Sequence, residues 1–172
     1  MKWLSSLFLA VTVLAGGCQK PATSSTPAPA AGYPSLPTAA QAKLPTINLW
    51  IRSEPMVAET ALTEIQRETG MMFRTNMAEN EGMVFVFPAP YRASFWIMQT
   101  ELPLSAAYID PEGVILEIHD LQPHNTNSVV AGSDNVQYVL ETRQGWFQRH
   151  GIKEGTVIGT EKGPLKKAFF GR

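Results

Sequence analysis

Residues 105–119, SAAYIDPEGVILEIH, decide how this chain folds. Two runs rich in β-branched and aromatic residues flank Asp110, Pro111, Glu112 and Gly113. Pro at the second turn position presets φ and Gly at the fourth suits a type I turn, so 106–109 and 114–118 are predicted to pair as a hairpin. The same pattern of short apolar runs separated by turn residues continues on both sides. It predicts strands near 48–52, 56–61, 83–87, 94–100, 105–109, 114–119, 136–141 and 156–159.

Helical signals are few. Thr63 and Gln66 make a T-x-x-Q capping box before a short helix over 64–69, and Gly70 supplies its stop. A second helix is expected over 145–150, laying Trp146 and Phe147 on the sheet before Gly151 ends it. Residues 121–134 are polar and read as a long surface loop. From about residue 161 a flexible tail carries Lys166, Lys167, Phe169 and Phe170. Residues 47–172 are long enough for one hydrophobic core and contain no internal repeat. The fold class expected is mainly β, α+β at the margin: a small, barrel-like antiparallel domain with two short helices.

The amino-terminal third has a different composition. Lys2, an apolar run over 3–14 and small residues before Cys18 form an export signal over 1–17. The apolar run is shorter than the roughly 20 residues that cross a bilayer. Cys18 is the only cysteine, so it has no disulfide partner within the chain, and acylation explains it. Residues 14–18, LAGGC, resemble the lipobox of bacterial lipoproteins, with Ala15 where that motif usually has Leu. The resemblance implies a membrane partner through a lipid anchor on Cys18. Gln19 after the cysteine favours the periplasmic face of the outer membrane by the enteric sorting rule. Residues 18–46 combine the lipidated cysteine with a Pro-, Ala-, Ser- and Thr-rich linker that cannot bury a core. At ~3.1 Å per residue such a linker reaches up to ~80 Å.

Charge narrows the partners. Fourteen Lys and Arg balance fifteen Asp and Glu, without a basic stripe, so no nucleic-acid footprint is expected. His119, His124 and His150 lack zinc-ligand spacing. Met71, Met72, Met77, Met83 and Met98 are soft enough for Cu(I), but Met in strands is ordinary core filler, and no metal site is expected. No G-x-S-x-G elbow, glycine-rich phosphate loop or cofactor motif occurs.

An ordered string of motifs completes the reading. It comprises Gly70 to Arg74; Met77, Glu79, Gly82, Met83, Phe85 and Phe87; Phe95, Trp96, Thr100, Pro103 and Leu104; Asp110, Gly113, Ile115, Glu117 and Ile118; Tyr138 to Glu141; and Gly145, Trp146, Phe147, Gly151 and Gly155. Over residues 47–159 this resembles the prokaryotic family called domain of unknown function 192. The resemblance implies a small barrel-like β domain, often exported, with no established activity. The family usually reads Met, Lys, Asn, Thr and then Pro, Leu, Asp where this chain has Ile97, Met98, Gln99, Thr100 and then Pro103, Leu104, Ser105.

Arg74, Thr100 and Glu141 match polar positions of these motifs, and Gln99 stands beside Thr100. Arg74 suits bidentate contact with a carboxylate or phosphate. Trp96 and Tyr138 offer flat walls, completing a candidate pocket for a small polar ligand. The competing reading makes Arg74 and Glu141 a structural ion pair with Trp96 and Tyr138 in the core. The functional expectation is a non-catalytic binding or accessory module for a small polar ligand or an envelope protein. The alternative is an enzyme acting on an envelope carbohydrate or another small polar substrate, which the lack of a nucleophile or cofactor motif disfavours.

Overall fold

The structure is a computed structural model and describes residues 37–95, 97–123 and 127–171. In chain order its elements are β1 (Thr46–Ile51), β2 (Glu54–Ala61), α1 (Glu64–Thr69), β3 (Glu81–Tyr91), β4 (Ser94–Phe95), β5 (Leu104–Ile109), β6 (Ile115–Leu121), β7 (Val129–Val130), β8 (Val136–Arg143), α2 (Trp146–Arg149), β9 (Ile158–Thr160), β10 (Gly163–Pro164) and α3 (Leu165–Phe170). The signal, Cys18 and the linker as far as residue 36 lie outside the described residues, as do Trp96 and His124.

The hairpin read first in the sequence forms as β5 and β6. The Gly113 amide donates to the Asp110 carbonyl at 3.0 Å, closing the turn. The Asp110 carboxylate accepts from the amides of Glu112 and Val114 at 2.9 and 2.8 Å. Gly113 has φ +87°, a conformation that residues with a Cβ rarely adopt. At the other local signal, the Gln66 amide donates to Thr63 Oγ1 and the Gln66 side chain accepts from the Thr63 amide, the predicted capping box.

Eight strands form one sheet in the order β10-β9-β1-β2-β3-β8-β5-β6. Only β2 and β3 run parallel, because α1 and the turns after it return the chain before β3 begins. The small β4-β7 pair stands apart. The sheet curls until Val114 bridges Val157 and the Ile115 amide donates to the Thr156 carbonyl at 2.9 Å. One isolated bridge and three backbone hydrogen bonds join these regions without a continuous ladder, so the fold is a curled, mainly β sheet and not a closed barrel.

Alternation along the strands sorts the side chains into two layers. Leu49, Ile51, Val84, Ala107, Tyr138 and Leu140 belong to a first core that Trp146, Phe147 and Leu165 complete. Phe85, Leu104, Tyr108 and Val139 belong to a second, covered by Met71, Met77, Ala93, Ile97 and Ala131.

Three expectations need correction, the first being the surface loop over 121–134, which instead gives Leu121 to β6, Val129–Val130 to β7 and Ala131 to the core. The strand expected over 94–100 is confined to Ser94–Phe95 among the described residues, and the chain turns at Gln99, whose φ is +54°. The tail expected to be flexible from about 161 instead forms β10 and α3; Leu165 is fully buried, and Phe169 and Phe170 pack 6.0 and 6.3 Å from Tyr138. Apolar burial of this helix outweighs the fraying expected near a terminus.

Candidate functional site

On the second face of the sheet lies a cavity of about 510 Å³. One wall comes from α1 and the turn after it, a second from the β3 rim through Phe87 and Tyr91, and a third from Phe95, Ile97, Met98 and Thr100. The floor is sheet: Phe85, Leu104 and Glu141.

Local chemistry fixes each wall. The Gln41 side chain donates to the carbonyls of Gln66 at 3.1 Å and Gly70 at 2.9 Å, tying down the last turn of α1. Gly70 has φ +47°, and a Cβ there would stand 3.3 Å from the Phe85 ring, so α1 comes this close to β3 only with glycine. The amide of Phe73 donates to the Gln99 carbonyl at 2.7 Å, joining the first wall to the turn beyond Phe95. Phe95 meets Phe85 edge-on at 5.1 Å and Phe87 at 6.2 Å, and Phe87 lies 4.6 Å from Tyr91. The result is an aromatic box, whose edge-to-face contacts favour this arrangement.

Glu141 is the unusual member. It sits in β8 between Met83 of β3 and Ala106 of β5, on one of the inner strands of the sheet. Only 5% of the residue is exposed, and it has no hydrogen bond or ion pair among the described residues. Burial alone pushes its carboxyl up to about 8. A neutral carboxylic acid at pH 7 both donates and accepts a hydrogen bond, and becomes an anion when a cation reaches it.

The other site residues expected from sequence divide sharply. Thr100 lines the cavity, is 4% exposed, and its hydroxyl donates to the Met98 carbonyl at 3.3 Å. Gln99 contributes its backbone, while its side chain is exposed and outside the cavity lining. Arg74 pairs with Glu59 at 3.0 Å, both largely buried, and not with Glu141. Glu59 also accepts from the Leu44 amide at 2.7 Å, so this ion pair pins the chain entering β1. Tyr138 lies on the opposite face beneath α3. Sequence parity already excluded its partnership with Glu141, since residues three apart in one strand point to opposite faces. Trp96 lies outside the described residues.

Phe85, Phe87, Phe95, Met71, Met72 and Arg67 were missed as cavity residues. The period-2 spacing of Phe85, Phe87 with Met83 was the available signal for the floor, but nothing local says what covers that face. Ser105, where the related motif has Asp, is on the first face. Its hydroxyl accepts from the Gly145 amide at 2.8 Å and bonds to Asp120, so the exchange changes the entry to α2 and leaves the cavity untouched.

A second polar cluster joins β2 to α2. Glu79 takes a bidentate contact from Arg149 at 2.8 and 3.0 Å, and His150 lies 3.1 Å from Glu54 and stacks on Trp146 at 4.5 Å. The charged groups satisfy one another, while the indole N–H of Trp146 and the side-chain N–H of Gln144 beside them are buried without a partner among the described residues. Among the described residues no group of three or more His, Cys, Asp or Glu is placed to hold a metal ion. No helix among them is long and apolar enough to cross a membrane.

Comparison with known proteins agrees with this fold. The model of DUF192, described as an uncharacterized ACR, matches residues 48–160. No curated protein matches the chain. A crystal structure from Sinorhizobium meliloti 1021, named as a candidate transcription regulator, is 28% identical, covers 70% of this chain and 97% of its own, and superposes with a TM-score of 0.67. A protein of unknown function from Novosphingobium aromaticivorans DSM 12444 is 27% identical, with 74% and 93% covered and a TM-score of 0.62.

Proposed function

This chain belongs to the DUF192 family, and from that premise we propose that its domain is a non-catalytic binding module whose cavity beside α1 receives a small molecule. The observation that carries the reading is the aromatic box with one buried carboxyl in its floor that has no partner among the described residues. Its volume falls within the range of small-molecule sites, and the combination of apolar walls with few polar groups is their usual composition. A carbohydrate needs many convergent hydrogen-bonding groups, whereas most residues of this lining are apolar and its exposed glutamates stand at the rim. The small polar ligand expected from sequence is therefore revised to one with an apolar body and a single polar head.

We place the module at the cell envelope, tethered through Cys18 and the proline-rich linker. Labelling with a fatty-acid analogue tests the tether: label is expected on the wild type and none on Cys18→Ser. An unlabelled, fully soluble wild type removes the anchor.

A thermal-shift screen of metabolites tests the binding reading, since a ligand held only by the folded state raises the unfolding midpoint. Ala89→Trp places an indole on an exposed position of the cavity lining and is expected to abolish the shift while leaving the unliganded midpoint nearly unchanged. Shifts that survive Ala89→Trp place binding elsewhere and refute the site.

A further inference from the structure

We infer that the molecule accepted by this cavity is an organic cation, a protonated amine on an alkyl or aryl body, with Glu141 as its counter-charge. This rests on the cavity being a binding site. Three features point to a cation. First, Glu141 is buried in the cavity floor without a partner among the described residues, and a carboxyl in that setting has its burial compensated only when a donor or positive charge arrives. Second, among the described residues the ionisable groups around it offer no internal substitute. On α1, Glu64 and Glu68 are exposed at the rim and add negative charge. The Arg67 guanidinium is committed, donating to the Val86 carbonyl at 3.0 Å and lying 5.2 Å above the Phe87 ring. On β5 the Tyr108 hydroxyl donates to the Val129 carbonyl at 2.6 Å, and Tyr91 completes the rim. Third, the walls are aromatic, and ring faces attract cations. Arg67 over Phe87 is already one such contact.

The alternatives fare worse on the same facts. An anion meets three carboxyl groups and one arginine that is already engaged. A wholly apolar molecule leaves Glu141 as unpartnered as before. An amine with an apolar body fills the box and converts the neutral acid into half of an ion pair. The balance of that step is simple: the ammonium enters with its proton, the Glu141 carboxylic acid loses its own to solvent, and one ion pair forms.

The test uses the full chain and three probes of one shape: 2-phenylethylamine, 2-phenylethanol and 3-phenylpropanoate. Isothermal titration calorimetry at pH 6.5 is expected to show the amine binding at least tenfold more tightly than the alcohol, with no binding of the carboxylate. Repeating the titration in buffers of different ionisation enthalpy is expected to show release of close to one proton per amine bound. Glu141→Gln is expected to weaken the amine at least tenfold, to abolish proton release, and to leave the alcohol within twofold. Equal binding of amine and alcohol, without proton release, overturns the cation assignment while the binding site stands. Preferred binding of the carboxylate overturns it as well. Binding by none of the three, in protein whose folding is verified by circular dichroism, overturns both readings. The proton count on wild type decides the matter even if Glu141→Gln does not fold.

Discussion

Alternate residues of the same strands build both faces of one sheet, yet the two faces end differently. On β8, Tyr138 and Leu140 enter a core closed by Trp146, Phe147, Leu165, Phe169 and Phe170. One residue over, Val139 and Glu141 face a layer whose cover is a short helix, turns and a two-stranded pair, and it contains the cavity. The sealed face supplies contiguous apolar burial, which is the main source of stability. The other face can therefore tolerate a void and an unpaired acid, as ligand sites commonly do when they give up stability for function.

The largest expected effect tests that asymmetry directly. Trp146→Ala removes a fully buried ring from the sealed face and should cost about 3–5 kcal/mol. Phe95→Ala removes a half-buried ring beside the existing cavity and should cost about 1–2 kcal/mol, because little new void is created. Urea unfolding of both variants measures the difference, and equal losses would break the comparison.

The next effect concerns Glu141 and pH. Its folded carboxyl holds a proton up to about 8, against an ordinary value of 4.5. The folded state thus binds more protons than the unfolded one across that window, so stability falls as pH rises through it and levels off above. The slope approaches about 1.4 kcal/mol per pH unit where the two states differ by a full proton. Glu141→Gln should remove this decline and leave the variant up to about 5 kcal/mol more stable than wild type at pH 8.5, less whatever water in the cavity screens. Unfolding curves at pH 5.5, 7 and 8.5 check it; parallel profiles for the two proteins would mean that the acid is already ionised.

Arg74→Ala should cost about 2–3 kcal/mol, since it leaves Glu59 largely buried without its cation. The double change with Glu59→Gln should be milder than the sum of the singles, whereas the double change with Glu141→Gln should be additive. Coupling to Glu141 in that cycle would contradict the separation of the two carboxylates.

The smallest effect sharpens the account of the cavity wall. Gln99 holds φ +54°, where Asn is better tolerated, so Gln99→Asn should stabilise by about 0.5 kcal/mol without altering ligand binding. The motif that this chain resembles has Asn at that place, and the backbone supplies the reason. Thermal midpoints measure the change; a loss of binding would show that the Gln99 side chain has a part in the site.

The sequence by itself determined what neighbouring residues settle among themselves. The Asp110 to Gly113 turn, the Thr63 and Gln66 capping box, the alternation along β3, β5 and β8, and the placing of Trp146 and Phe147 on the sheet all follow from local dihedral preferences and periodicity. Even the separation of Tyr138 from Glu141 was legible in their spacing. Only the tertiary structure decided the rest, because it depends on contacts far apart in the chain. Arg74 met Glu59 instead of Glu141 because the turn after α1 returns beside β2. The tail became a packed helix because Tyr138 and its neighbours offered an apolar surface. Glu141 became a buried, solitary acid because β8 lies between β3 and β5, and the elements covering that face, held by α1 and the Gln99 turn, stop short of filling the space above it. A glutamate's letter is the same on a solvated edge and in a cavity floor; desolvation is a property of everything packed around it.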